Sequence, residues 1–155
     1  MNVAFFLLPK SEVVWLSPRS TMRQALERME RHRYSAVPLV DDDGRYAGTL
    51  TEGDLLWYIK NTPGFTFADA ERVLVRDIPR HLQNEPVRVY ADMRDLVRLA
   101  AVQNFVPVVD DRDRFIGIVR RRDIIEYCQR LLLAREPGEG GQEPATGQRA
   151  APPGA

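Results

Sequence analysis

Two short stretches place hydroxyl, carboxylate and guanidinium groups where a chain should turn from strand into helix. The first is Gly48-Thr49-Leu50-Thr51-Glu52-Gly53-Asp54, and the second is Gly117-Ile118-Val119-Arg120-Arg121-Arg122-Asp123. In the first, Thr51 and Asp54 have the spacing of an N-cap and its reciprocal partner three residues on. The same start also offers backbone N–H groups, a hydroxyl and a carboxylate, which suit a sugar diol beside a phosphate. Cap and ligand roles stay open together. In the second stretch Arg120 replaces the capping hydroxyl, and three guanidiniums gather at the positive end of a helix dipole. Each cation there is unfavourable by about 0.3–1 kcal/mol, a conflict that a bound anion would reverse. The alternative is a solvated basic turn paired with the nearby Asp110, Asp111 and Asp113. On the anion reading, removing Arg121 and Arg122 together should leave the unliganded fold at least as stable. The two loops carry opposite charge, so facing copies would divide the work: ribose on the first, phosphate on the second.

The elements that position these loops form a repeat. Ala36 to Gly48 recurs as Phe105 to Gly117, 69 positions later and without a gap. Upstream, Met22, Ala25, Leu26 and Met29 answer Met93, Leu96, Val97 and Ala100, both sets at the spacing of an amphipathic helix. Ser20 and Asp92 stand at the N-cap positions. Each helix is followed by two short strands, Val37 to Val40 then Arg45 to Leu50, and Val106 to Val109 then Arg114 to Val119. Asp-Asp-Asp-Gly and Asp-Asp-Arg-Asp supply the turns between them. Second helices are predicted over about Glu52 to Lys60 and Arg121 to Ala134, and leading strands near Val13 to Leu16 and Val87 to Val89. A connecting stretch carries one more short helix, near Phe67 to Leu74. The fold class is therefore α/β, with two β-α-β-β-α repeats packed around a pseudo-two-fold axis. Residues 1–61 form the N-terminal segment and first repeat, 62–134 the linker and second repeat, and 135–155 a disordered tail. The last twenty residues contain no Leu, Ile, Val or aromatic side chain with which to build a core.

Composition narrows the function. The 155 residues hold 22 Lys and Arg against 22 Asp and Glu, so the formal net charge of zero argues against a general nucleic-acid binder. One cysteine and two histidines provide neither an intrachain disulfide nor a zinc cluster, which reads as a reduced, metal-independent, cytoplasmic protein. The apolar run Val3 to Leu8 lacks the flanks of a signal peptide and the length of a membrane span, and reads as an arm capping a core or an interface. No nucleophile joins a histidine and a carboxylate in a recognisable catalytic motif, so no enzyme is expected. Cys128 reads as core, His32 and His81 as solvated, and Trp57 and Tyr58 as packing or dimer interface.

The doubled apolar-Val-Pro-apolar-Val-Asp motif, the Gly-x-x-Thr-x-x-Asp of Gly48 to Asp54 and the two-copy layout resemble the tandem CBS-domain pair, or Bateman module. The resemblance covers about residues 10 to 130. It implies adenine-nucleotide binding in clefts between the repeats, frequent homodimerisation and control of a partner protein, here an unidentified one. By that resemblance Thr51 and Asp54 hold the ribose, while Tyr34, Ser35, Ala36, Val37 and Pro38 surround the adenine with Val13 and Val14. Arg120 departs from the Thr or Ser usual at its place. Asp77-Ile78-Pro79-Arg80, Asn104-Phe105-Val106 and the Arg121-Arg122 pair are further similar to stand-alone bacterial CBS proteins that bind cyclic di-AMP. That likeness implies phosphate contacts from Arg121 and Arg122, and it brings Phe105, Val106, Pro107, Arg120 and Asp123 into the candidate site. The regulatory ligand implied is cyclic di-AMP, or else AMP, ADP or ATP, with no required cofactor.

Overall fold

The computed structural model describes residues 2–135, so the expected tail beyond Arg135 lies outside the described residues. The first repeat contains α1 (Met22–His32), β2 (Ala36–Val40), β3 (Tyr46–Thr51) and α2 (Glu52–Asn61), and a two-residue strand β1 (Leu8–Pro9) precedes it. The second contains β4 (Val87–Arg88), α3 (Met93–Ala100), β5 (Phe105–Val109), β6 (Phe115–Arg120) and α4 (Arg121–Ala134). Sequence expectation and structure diverge at several boundaries. The N-cap of α1 is Thr21 rather than Ser20: the Thr21 hydroxyl accepts from the Gln24 amide, and the Gln24 side chain accepts from the Thr21 amide. A cap at Ser20 would put Arg23, which has no acceptor, at the reciprocal position. Asp92 caps α3 as its sequence position suggested. The leading strand of the first repeat shrinks to one parallel bridge, Leu16 to Leu39, because Val13 and Val14 leave the sheet to line a cleft. The connecting helix is a 3-10 turn over Phe67–Glu71, since Val73 and Val75 pair by backbone with Met22 and Ser20 at the start of α1.

The repeats share one register. Ala36 faces Thr51 across β2 and β3, Phe105 faces Arg120 across β5 and β6, and each hairpin has a bulge before its last apolar residue. The turns are built alike: Asp41 Oδ1 accepts from the amides of Asp43 and Arg45, and Asp110 Oδ1 from those of Arg112 and Arg114, all at 2.9 Å. Asp110 lies below the usual carboxylate range, chiefly because of the Arg114 amide bond. Each helix buries its apolar stripe on its own sheet, giving one core around Met22, Val37, Leu39 and Leu50 and another around Leu96, Val106, Val108 and Val119.

The repeats meet on their pseudo-two-fold axis through residues that are one another's repeat mates. Arg45 and Arg114, 69 positions apart, form an antiparallel bridge, and the Phe115 amide donates to the Gly44 carbonyl at 2.8 Å. Tyr46 stacks on its mate Phe115, with ring centroids 6.4 Å apart. Around them Val40, Phe105, Phe115 and Ile118 form a third core fed by both units.

The N-terminal arm bypasses its own repeat. Its 3-10 turn Val3–Phe6 packs into the core of the second repeat, Phe6 meets Tyr127 of α4 edge-to-face at 5.4 Å, and β1 pairs with β6. The resulting sheet order is β1-β6-β5-β4. Gly117 makes this possible: it has φ +156, and a Cβ there would overlap the Leu8 carbonyl oxygen. We expect Gly117→Ala to lift the arm and speed amide exchange across residues 3–8 in hydrogen-exchange mass spectrometry. Phe6→Ala should cost about 3–5 kcal/mol in urea unfolding.

Candidate functional site

Two clefts lie between the repeats, each built from the apolar strand start of one unit and the second-helix start of the other. The backbone dictates this crossing. The Glu52 amide donates to the Ser35 carbonyl, and at the mate positions the Arg121 amide donates to the Asn104 carbonyl, tying each helix start to the strand entry of its own repeat. Packing about the axis then turns each entry toward the opposite helix.

The first cleft, about 470 Å³, has an apolar floor of Val13, Val14, Ala36, Pro38, Phe105 and Ile118. Tyr34 and Ser35 stand on one side, and Arg120, Arg121 and Arg122 on the other. Arg33 and Asn104, neither chosen from sequence, join the polar wall. Asn104 was traceable as the repeat mate of Ser35, whereas Arg33 is itself the left-handed residue that ends α1 (φ 57) and had no visible signal. The side chains of Arg33, Tyr34, Ser35 and Asn104 make no hydrogen bond among the described residues. A volume of this size falls in the range of small-molecule sites.

The three arginines are not a bare cluster, and none pairs with Asp110, Asp111 or Asp113. Arg120 forks onto Asp123 at 2.8 and 3.0 Å, a bond that raises its pKa further, but this ion pair gives the start of α4 no side-chain cap of the kind Thr51 gives α2. Arg121 Nε donates to the carbonyls of Ala100 and Gln103 at 2.8 and 3.0 Å, closing the C-terminal end of α3. With Nε anchored, the rest of the guanidinium stands at the wall that the two clefts share. Arg122 pairs with Glu126 one turn along α4, and its side chain is 70% exposed. An exposed pair of this kind is worth about 0.3–0.5 kcal/mol, so an anion can recruit Arg122 at little cost. The expectation that Arg121 is dispensable to the unliganded fold is thereby corrected, because its loss strips the carbonyls of Ala100, the last residue of α3, and of Gln103 in the following turn of a donor.

The second cleft, about 550 Å³, sets Thr49, Thr51, Glu52 and Gly53 of the first repeat against Leu82, Asn84 and Gln103 of the second. The ribose and phosphate groups expected in one place are therefore divided between two: Thr51 faces the second cleft and Arg120 and Arg122 the first, while Arg121 borders both. Thr51 and Asp54 form the reciprocal cap at 3.1 and 2.9 Å. Asp54, 1% exposed, also accepts from the amide and the imidazole Nδ1 of His81, at 3.0 and 2.9 Å. Burial alone would push its pKa up, but the bonds from His81 and Thr51 outweigh burial and hold it below the usual carboxylate range. Asp54 thus opens onto a smaller recess with Trp57, Tyr58, Asp77 and His81 instead of onto either cleft.

The remaining expected residues scatter. Val37 and Val106 are fully buried in the two repeat cores, Pro107 is buried in β5, and Asp123 sits behind Arg120. His81 is bound to Asp54 rather than merely solvated, and the exposed His32 stacks on Tyr34 at 5.5 Å. Cys128 is exposed rather than core, because α4 turns only Ile124 fully inward. Tyr58 packs on the first core, whereas Trp57 is partly exposed beneath Lys60. Among the described residues no group of His, Cys, Asp and Glu side chains could hold a metal ion, and no helix is long and apolar enough to cross a membrane.

Comparison with known proteins bears on the same architecture. The CBS domain family matches residues 7–61 and 75–130. Over 125 residues the chain is 28% identical to the inosine-5'-monophosphate dehydrogenase of Methanocaldococcus jannaschii, covering 81% of this chain and 23% of that enzyme. The chain thus spans about a quarter of the length of this relative. The crystal structure of the Listeria monocytogenes CbpB protein in complex with c-di-AMP superposes with TM-score 0.75 at 21% identity, over 85% of this chain and 98% of that one. That of CBSX2 in complex with AMP gives 0.68 at 22% identity, over 84% and 98%. These two likenesses establish the fold.

The buried carboxylate makes a test of the site's construction. A lowered pKa means that Asp54 adds stability above its unfolded pKa of about 3.9 and loses it as pH falls through the lower folded value. Asp54→Asn should cost about 1–3 kcal/mol near neutral pH and flatten the acid limb of stability, read by urea unfolding at a series of pH values. Arg121→Ala should cost about 1–2 kcal/mol in the same assay, whereas Arg122→Ala should change little.

Proposed function

The chain belongs to the CBS domain family, and from that footing we propose that it is a non-enzymatic sensor whose first cleft takes an adenine nucleotide, cyclic di-AMP foremost. The observation that carries this reading is the meeting, in one cleft of about 470 Å³, of an apolar floor drawn from both repeats with Arg120, Arg121 and Arg122 of the second. An adenine ring suits the floor between Val13, Ala36 and Phe105, beside the open Tyr34 and Ser35. Guanidinium forks suit phosphate oxygens, and unlike lysine they offer paired donors in a fixed plane. Several arginines along one wall suit a ligand that presents two separate phosphate groups over one with a single phosphate. The c-di-AMP complex of CbpB supports the dinucleotide, and the AMP complex of CBSX2 supports AMP as the second reading.

Binding across the cleft joins groups from both repeats, so ligand would bias their relative setting and hence the surface offered to a regulated partner protein. The exposed Leu131, Leu132 and Leu133 of α4, with Leu56 and Trp57 of α2, support a homodimer as part of this reading. A cytoplasmic setting suits such a ligand.

Isothermal titration with cyclic di-AMP, AMP, ADP and ATP tests the proposal. Heat is expected with at least one of them, with cyclic di-AMP binding tightest. Arg122→Glu should weaken that binding about ten- to hundredfold, the worth of one charge-assisted hydrogen bond, and Ala36→Phe should abolish it by filling the floor. Absence of heat with all four nucleotides refutes the sensor reading.

A further inference from the structure

Helix α1 ends on a residue whose type does not suit its backbone. Arg33 has φ 57 and ψ 36, the left-handed conformation. Two turn-closing bonds hold it there: the Arg33 amide donates to the Glu30 carbonyl at 3.2 Å, and the Tyr34 amide to the Met29 carbonyl at 3.1 Å. Glycine is the usual residue at such a helix end, because a Cβ in this conformation crowds the backbone. Asparagine and aspartate are the common exceptions, through a short polar side chain that bonds nearby. The other left-handed non-glycine among the described residues fits this pattern: Asp113 is an aspartate in a turn, and its carboxylate accepts from Arg88 at 2.7 Å. Arg33 has neither device. Its guanidinium makes no hydrogen bond and no ion pair among the described residues, so no contact within the chain offsets the cost to the backbone.

What Arg33 borders is the first cleft, which it enters from the first repeat beside Tyr34 and Ser35. Arg120, Arg121 and Arg122 enter it from the second. Of these three, Arg120 is forked on Asp123 and Arg121 is anchored through Nε, which leaves Arg122 as the one readily recruited. One hollow of about 470 Å³ thus has an open guanidinium from one repeat and an easily freed one from the other. The second cleft lacks the first of these. By the 69-residue offset Val102 takes the place of Arg33 there. In that repeat α3 ends at Ala101 in the right-handed conformation, and Val102, 78% exposed, lines the cleft with an apolar side chain. A left-handed arginine is therefore no demand of the repeat, since the other copy ends its first helix without one.

Resting on the nucleotide reading of the first cleft, we propose that Arg33 is a specificity-determining residue that holds a second phosphate group while Arg122 holds the first, so that the cleft selects ligands with two separate phosphates over those with one. Each guanidinium fork takes phosphate oxygens of its own, and a ligand with one phosphate leaves one fork unused. The left-handed turn brings Arg33 to the cleft, where a right-handed residue would have carried α1 onward.

The full chain is compared with Arg33→Gly and Arg31→Ala by urea unfolding and by isothermal titration with cyclic di-AMP and AMP. Arg33→Gly removes the guanidinium and gives the backbone the residue it prefers, so its unfolding midpoint should stand at or above that of the wild type. Its affinity for cyclic di-AMP should fall about ten- to hundredfold, the worth of one charge-assisted hydrogen bond, while its affinity for AMP changes little. Arg31→Ala removes an equal charge from the exposed side of the same helix, outside the first cleft. It should keep the wild-type preference for cyclic di-AMP over AMP, which separates a contact from the long-range field. A lower midpoint in Arg33→Gly makes the arginine a prop of the fold and overturns the proposal. So does a loss for cyclic di-AMP no greater than that for AMP, an equal loss of preference in Arg31→Ala, or a wild type that binds AMP as tightly as cyclic di-AMP. If the wild type binds neither nucleotide, the sensor reading falls and inorganic triphosphate, with a phosphate at each end and no base, decides. Binding by the wild type that is lost in Arg33→Gly upholds the role of Arg33, and equal or absent binding refutes it.

Discussion

Everything the two repeats do together depends on a contact that each makes with its own image. Where an axis of near symmetry passes through a chain, residues beside it must meet their repeat mates, and a side chain or backbone that cannot face itself breaks the pair. Arg45 against Arg114 meets this condition through the backbone, whose antiparallel bridge is two-fold symmetric by nature, while the Arg114 guanidinium pairs with Asp110 of its own turn. Tyr46 against Phe115 meets it through stacked rings, with a difference: only the tyrosine has a hydroxyl, which reaches Thr49 and the Asn84 carbonyl. Burial raises the Tyr46 pKa, so the hydroxyl stays a neutral donor. One added oxygen at the axis therefore already distinguishes the two halves and fastens the wall of the second cleft.

The division of polar groups between the clefts extends that distinction. Identical strands and helices create two hollows of similar size, but chemistry in a hollow belongs to whatever hydrogen-bonding capacity the fold has left unspent. Thr49, Asn84 and Gln103 are among the few buried polar side chains of the described residues: Asn84 and Gln103 tie the linker to the second repeat, and Thr49 holds the Tyr46 hydroxyl of its own strand, which reaches on to the Asn84 carbonyl. Asp54 does the same with a charge. The first cleft escapes this because its entry residues lie on a helix-ending turn and a short strand start, where nothing else approaches.

Periodicity and turn chemistry made most of the architecture legible from sequence. The repeat located the four α-helices and both hairpins, and α4 has the bounds expected of it, because amphipathic spacing and Asp-rich turns are local properties. What sequence hid was pairing over distance. Asp54 is visible as a cap, but its bonds to His81 span 27 positions, and nothing near His81 marks it as a partner. Likewise Arg121 looks like one of three equivalent cations until the carbonyls of Ala100 and Gln103 come into reach. Thr51 shares a cleft with Arg121 but is parted from Arg120 and Arg122 for a geometric reason: repeat mates on a two-fold axis face opposite clefts, so residues that complement one another in sequence can be kept apart in space.

The crossing of the N-terminal arm bears on how the chain is made. Leu8 finds its place only beside Ile118, which leaves the ribosome more than a hundred residues later. Val3 and Phe6, fully or nearly buried in the finished molecule, have no core to enter while the first repeat is being synthesised. The first repeat can assemble as it emerges, since its core uses none of these residues. The second must gather this earlier-made arm to itself last, a long-range closure that slows folding and leaves the edge of β6 open until it is done. An apolar arm is thus the last piece of a repeat that lies far from it in sequence, and until it docks it waits in water with its apolar side chains uncovered.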